Sequence, residues 1–214
     1  VPARIAYFFD SLYVDEISGA TRMRSALVSR GHYVSSFTGA TGAQWTAALA
    51  SADVVVLPEM DGPDLYNAMD AAARTALQNF VLNGGGLVQA YCRGTGTNDL
   101  NLINGLFGTT LATCSAVGGP YNIDSLAAGA TIFAGGPSSL SSPTDTNSLI
   151  VSQLPPGARA IYSNGLETSL VTWSAGFGDI TWLGFNFDQS SAPPEWIEVV
   201  DRACSIRRSK DCNA

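Results

Sequence analysis

The chain has 214 residues, of which 46% are hydrophobic and 14% charged, and its formal net charge is -7. This length and apolar content can fill the core of one large domain. The only lysine is Lys210, so no basic stripe is available to follow a phosphate backbone. No apolar run approaches the roughly 20 residues that span a bilayer. The composition therefore argues against a nucleic-acid partner and against a membrane span.

Four cysteines, an even number, lie in an acidic chain that is poor in lysine and rich in Ser, Thr and Gly. Such a composition favours an oxidising compartment, so we expect a secreted, extracellular protein, with any signal peptide already removed. Of the three possible pairings we favour Cys204–Cys212, which are near in sequence, and Cys92–Cys114, which would flank one helix. The single histidine and the absence of a Cys-x-x-Cys knuckle argue against structural zinc, and we expect no cofactor.

The first hundred residues alternate between buried strands and helices. Strands are predicted at residues 4–9, from 32 onwards, at 53–58 and after 86, and helices at residues 18–30, 44–50, 65–82 and 98–107. Gly31 is placed to end the first helix. Three strand–helix alternations in this space predict an α/β fold with a doubly wound, mainly parallel sheet of the flavodoxin-like kind.

The second half of the chain is less regular. Closely spaced Gly and Pro turns predict an irregular insertion with short strands over about residues 109–157. Strands at residues 160–162, 169–173 and 180–185 follow, the last two forming an antiparallel hairpin around the turn at 176–178. A helix over residues 193–206 ends the fold. We expect one domain over residues 1–206 and a tail at 207–214.

A glycine-rich turn at residues 84–86 leads into the central strand, which stops at Cys92 before a second glycine-rich turn at 94–96. Catalytic groups and ligands of open α/β sheets gather outside the carboxyl ends of the strands. Cys92 therefore lies where a nucleophile is expected.

Three stretches carry a family resemblance: residues 4–10 with the following helix and the turn Arg30-Gly31-His32-Tyr33-Val34, residues 80–88, and residues 180–187. Together they resemble the class I glutamine amidotransferase-like fold, and more closely uncharacterised bacterial extracellular domains of that fold. The resemblance implies a nucleophilic cysteine at the elbow, matched in position by Cys92, and a histidine at the end of the late strand. That histidine is not matched, because residues 185–189 read Phe-Asn-Phe-Asp-Gln.

The sole histidine, His32, begins the second strand, a strand length of roughly 17 Å from the elbow. It cannot act as base for Cys92, and an unassisted thiol is only a few per cent thiolate at neutral pH. We interpret His32 as a structural residue. The protein is therefore more consistent with a non-catalytic role than with an enzyme.

Polar residues that follow the strands are the candidate ligand-binding groups. They are Asp10, Asp61, Arg93, Thr95, Asn98 and Asp99. Asp10, Asp61 and Asp64 are weak candidates for calcium, and residues 93–97 for an anion at the start of the following helix. Helix capping and loop solvation are the alternative for these carboxylates, and tight turn formation for the glycines. Trp45, Trp173, Trp182 and Trp196 are expected in the core rather than on a sugar-stacking surface.

Two functions remain in competition. The first is a secreted, non-catalytic binding or structural module of an extracellular assembly, with protein or glycan partners and possible self-assembly through a surface of few charges. The alternative is a hydrolase or amidase that uses Cys92 or the loop carboxylates.

Overall fold

The structure is a computed structural model that describes residues 1–14, 16–60, 62–90, 98–114, 119–144, 146–188 and 192–205. Its centre is one sheet with eleven strands in the described residues. The strands are β1 Arg4–Phe8, β2 Tyr33–Phe37, β3 Val54–Leu57, β4 Gly86–Ala90, β5 Thr113–Cys114, β6 Tyr121–Ile123, β7 Ser139–Leu140, β8 Ser148–Ile150, β9 Arg159–Ser163, β10 Glu167–Ala175 and β11 Gly178–Leu183. The helices are α1 Ile17–Ser29, α2 Gly42–Leu49, α3 Leu65–Ala68, α4 Ala71–Leu82, α5 Asn98–Phe107, α6 Ser125–Gly129 and α7 Pro194–Cys204.

Half of the sheet is parallel, in the order β2-β1-β3-β4-β11. Its inner strands are buried, as parallel strands between helical layers must be: all four residues of β3 are buried, whereas the edge strand β2 is partly exposed. This half confirms the mainly parallel α/β core that the sequence predicted.

The other half is antiparallel and continues the sheet through β10, β9, β6 and β7. β10 and β11 form the expected hairpin, with Leu170 opposite Leu183 and Ala175 opposite Gly178. Between residues 109 and 157 the described chain contributes four short strands, β5 to β8, and helix α6.

Each face of the sheet carries its own apolar core. One core contains Trp45 of α2, Leu77 of α4 and Ile103 of α5, and the other contains Met23 of α1 and Trp196 of α7. The helices therefore cover both faces of the parallel half. No helix in the described ranges is both long and apolar enough to cross a membrane.

The helix predicted over residues 65–82 is in fact two helices, α3 and α4, separated at Met69 and Asp70. The Asp70 carboxylate accepts hydrogen bonds from Ala73 N at 2.7 Å and from Gly42 N, the first residue of α2, at 3.0 Å. Asp70 thus caps two helices at once, and these bonds hold its pKa below the usual value. The break depends on a contact 28 residues away in sequence, which helical periodicity cannot show.

Candidate functional site

The parallel strands end at one edge of the sheet, which we call the carboxyl edge, and begin at the opposite amino edge. Asp10 follows β1 at the carboxyl edge. Its carboxylate accepts hydrogen bonds from Leu12 N at 3.0 Å and from Gly39 N at 2.8 Å. These bonds join the loops after β1 and β2, so Asp10 has a structural role there.

Two more described carboxylates at this edge, Asp64 and Asp99, also accept hydrogen bonds from neighbouring residues. Asp64 caps α3 through Asn67 N at 3.1 Å and accepts from Asn101 Nδ2 at 2.8 Å. Asp99 is 2% exposed and accepts from Met60 N at 2.8 Å. Asn98 begins α5, and its side chain is outside the description.

Several predicted site residues lie outside the described residues: Asp61, Cys92, Arg93 and Thr95. The nucleophile and anion predictions therefore stay predictions. Within the described ranges, no group of three or more His, Cys, Asp or Glu side chains is arranged to hold a metal ion. Because Asp61 is not among them, the calcium prediction also remains untested.

The predicted disulfides fall largely on undescribed positions, since Cys92, Cys212 and the side chain of Cys114 are not described. Cys204 is described, with 0% exposure, and it forms no disulfide with another cysteine of the described residues. Burial, together with the negative charge of Asp201, raises the pKa of this thiol far above its ordinary value. A group held neutral in this way is a poor nucleophile.

The sole histidine lies at the amino edge. His32 Nδ1 accepts a hydrogen bond from Ala3 N at 3.1 Å, and Nε2 lies 2.9 Å from Asp201 Oδ1 on α7. The imidazole is almost completely buried. It ties the start of β1 to the last helix and is held away from the carboxyl edge.

The late-strand position at which the resemblance places a histidine is filled by aromatic core. Phe185 and Phe187 are fully buried, their ring centroids are 4.9 Å apart, and Phe185 stacks on Trp196 at 5.2 Å. Phe187 has a φ of 62°, and its carbonyl accepts from Arg22 Nε at 2.8 Å. Arg22 also pairs with Asp188 at 2.8 Å. The described part of this loop, up to residue 188, is fixed by packing and by Arg22, and it contains no histidine.

Several neutral polar atoms are buried near the carboxyl edge without a hydrogen-bond partner in the described residues, and the sequence did not predict them. Gln89 Oε1, Ser169 Oγ and Trp182 Nε1 have no hydrogen-bond partner among the described residues, and all three side chains are 0% exposed. Gln89 and Trp182 are register partners on β4 and β11, so they lie side by side on one face. The atoms are enclosed, which places them in the interior rather than on a ligand-accessible wall.

A large surface depression lies at the amino edge. This amino-edge groove has a volume of about 850 Å³ and crosses the starts of β3, β4 and β11. Residues that shape it include Phe80, Gly85, Arg159, Trp173, Phe177 and Asp179. Its size is within the range of roughly 300 to 1,000 Å³ that is typical of small-molecule sites.

The sequence places its predicted site residues at the carboxyl edge, and this groove was not predicted. The available signal was the pair of glycine turns at residues 84–86 and 176–178, which both line it. One part of the prediction is confirmed: the four tryptophans are core residues, with Trp173 at 6% exposure and the other three at 0%.

No protein-family profile and no curated protein sequence matches the chain. Solved structures do match. Cytoplasmic protein STM3548 from Salmonella typhimurium superposes with a TM-score of 0.62 at 13% identity, over 94% of this chain and 97% of that one. A ThuA-like protein from Bacteroides uniformis gives a TM-score of 0.57 at 11% identity, over 94% and 90% of the two chains.

A larger enzyme also contains this fold. The exo-beta-1,4-mannosidase Op5Man5 from Opitutaceae bacterium strain TAV5 matches with a TM-score of 0.57 at 13% identity, over 87% of this chain. The chain spans only 32% of the length of that mannosidase. At these identities the likenesses show a shared α/β fold and nothing about activity.

Proposed function

We propose that this protein is a secreted, non-catalytic binding module of an extracellular assembly, and that it binds its partner in the amino-edge groove. The observation that carries the proposal is the groove itself. It combines a volume of about 850 Å³ with Phe177, a phenylalanine that is 90% exposed at its rim. The groove has the size of a small-molecule site, and an exposed aromatic ring at its rim offers a large apolar contact area to a bound partner.

The non-catalytic part of the proposal is supported by the hydrogen bonds that the candidate acids and bases form within the fold. Asp10, Asp64 and Asp99 accept hydrogen bonds from backbone N–H groups. His32 is held between Ala3 and Asp201 at the other edge. A general base must lie within hydrogen-bond distance of the proton that it removes. The side chains of these residues already form hydrogen bonds that hold the fold together, so we do not assign them to catalysis.

The module part is supported by the fold's occurrence in the mannosidase, where it accounts for about a third of a longer chain. It is also supported by the resemblance to bacterial extracellular domains. Secretion rests on composition: four cysteines and one lysine in an acidic chain rich in Ser, Thr and Gly.

The test is a binding screen on two immobilised libraries, one of glycans and one of peptides, with three proteins. Wild type is compared with Phe177→Ala and with Leu166→Ala. Leu166 is 80% exposed in the turn between β9 and β10, outside the groove lining, so it controls for loss of an exposed apolar side chain. We expect hits that Phe177→Ala weakens and Leu166→Ala does not.

Two results would contradict the proposal. One is the absence of any hit that depends on Phe177, and the other is hydrolysis of glycoside or amide substrates that is lost in Cys92→Ser. The second result would establish the alternative function, a hydrolase or amidase with its nucleophile at the elbow.

A further inference from the structure

The rim of the groove is formed by two glycine turns in backbone contact. Phe177 N donates a hydrogen bond to Leu82 O at 3.0 Å. A methyl group on Gly178 would overlap the carbonyl oxygens of Gly85 and Val81, and Gly176 has a φ of 62°, which favours glycine. The hairpin tip is therefore held against the turn before β4, and the backbone of Phe177 has a fixed position.

The Phe177 side chain contributes little to the fold that holds it. It is 90% exposed, so the fold does not gain the stabilisation that burial of a phenylalanine provides. Leu82, which accepts the Phe177 N–H, is 36% exposed beside it. An aromatic ring on a fixed backbone loses little entropy on binding, so it is suited to stack on a flat apolar face of a ligand.

The polar groups of the groove carry balanced charge. Asp53 is neutralised by Arg4 through a contact of 2.7 Å, and the other charged lining residues are Asp179 and Arg159, one of each sign. Ser174 Oγ donates to Asp179 Oδ1 at 2.8 Å, so this pair is exposed and already oriented. A groove without excess charge favours a neutral ligand that has both donors and acceptors.

The groove lies across strand beginnings, not along a strand edge. In the described sheet the terminal strands of the main path are β2 and β7, and neither has a residue in the groove lining. An extended peptide therefore has no free strand here with which to pair its main chain. Separate side-chain donors and acceptors beside an exposed ring fit hydroxyl groups better than a peptide backbone.

We propose that the amino-edge groove binds a neutral saccharide chain, with one hexose face on Phe177 and ring hydroxyls bonded to Asp179, Ser174 and Arg159. The inference rests on the proposed function and names the ligand class of the same site. It assigns Phe177 as the stacking residue and Asp179 as the principal acceptor.

The experiment is isothermal titration of the purified protein with three neutral hexasaccharides: cellohexaose, mannohexaose and laminarihexaose. We expect at least one to bind, and Phe177→Ala to weaken that binding about tenfold, because the stacking contact is lost. Asp179→Asn should weaken it severalfold by removing a charged acceptor. Leu166→Ala should bind as wild type does, and circular dichroism should show all three variants folded.

Absence of binding to all three saccharides, or binding that Phe177→Ala leaves unchanged, overturns the inference. The library screen separates this failure from failure of the proposed function. If peptides bind in a Phe177-dependent way while saccharides do not, the module function stands and the saccharide assignment is wrong. If neither library gives a Phe177-dependent hit, both are wrong.

Discussion

Cys204 lies at the end of α7, with its side chain fully enclosed by the core around Tyr7 and Trp196. Burial and the neighbouring Asp201 keep the thiol protonated, because both raise its pKa. The reactivity of Cys204 in solution therefore shows whether the last helix is packed against the core and whether the thiol is reduced or in a disulfide.

We expect Cys204 to resist iodoacetamide in the native protein at about pH 8 and to react in full once denaturant is added, without reductant. Mass mapping of the labelled peptides gives the measurement. Rapid labelling before denaturation would show that the thiol is not buried. A requirement for reductant would instead establish the disulfide to Cys212 that the sequence favoured.

The hairpin of β10 and β11 shows how two elements far apart in sequence fix one another. Gly178 begins β11 and meets Gly85 just before β4, so the turn of one hairpin is fitted against the turn that starts the central strand. No side chain separates the two backbones at this point. The groove rim depends on that close approach.

Gly178→Ala should lower the free energy of unfolding by about 2 kcal/mol, because its methyl group would overlap two carbonyl oxygens. The matched control is Gly129→Ala in α6, where a methyl group meets nothing within 4 Å. That change should leave stability equal or slightly higher, since alanine favours helix. Urea unfolding of both variants gives the comparison, and equal effects would contradict the close approach.

The alternation of strands and helices in the first hundred residues is strongly encoded, because buried strands such as β3 and glycine-terminated helices have local signals. The break between α3 and α4 was not predictable, since Asp70 is held by Gly42 of another helix. The groove was not predictable either, because it also depends on a contact between residues that are far apart in sequence. Each of its two glycine turns can be recognised in the sequence as a turn. Their contact joins residues about ninety positions apart, so no local sequence pattern predicts that the two turns meet.

At the scale of the whole molecule, three buried groups among the described residues lose their protons only at high pH. Burial raises the pKa of Tyr7 well above its ordinary 10.0 and that of Tyr162 to about 12, and the Cys204 pKa is raised from 9.0. All three are raised relative to the unfolded chain. Their contribution to stability is therefore complete below about pH 9 and decreases as the pH rises through the folded values.

We expect the melting temperature to be constant from about pH 7 to 9 and to fall steeply above about pH 10. Thermal unfolding followed by circular dichroism over this range measures it. Tyr162→Phe should show a shallower fall, because one of the three groups no longer ionises. A melting temperature that stays flat to about pH 11 would contradict the burial of these groups.

Trp173 is the one tryptophan in the lining of the groove, and the other three lie at 0% exposure in the two cores. Indoles that are shielded from water emit at shorter wavelengths than indoles in water, so the native protein should have a blue-shifted emission. A ligand in the groove would change the surroundings of Trp173 directly. The protein therefore carries its own optical probe, and the change in emission would report occupation of the groove without an added dye.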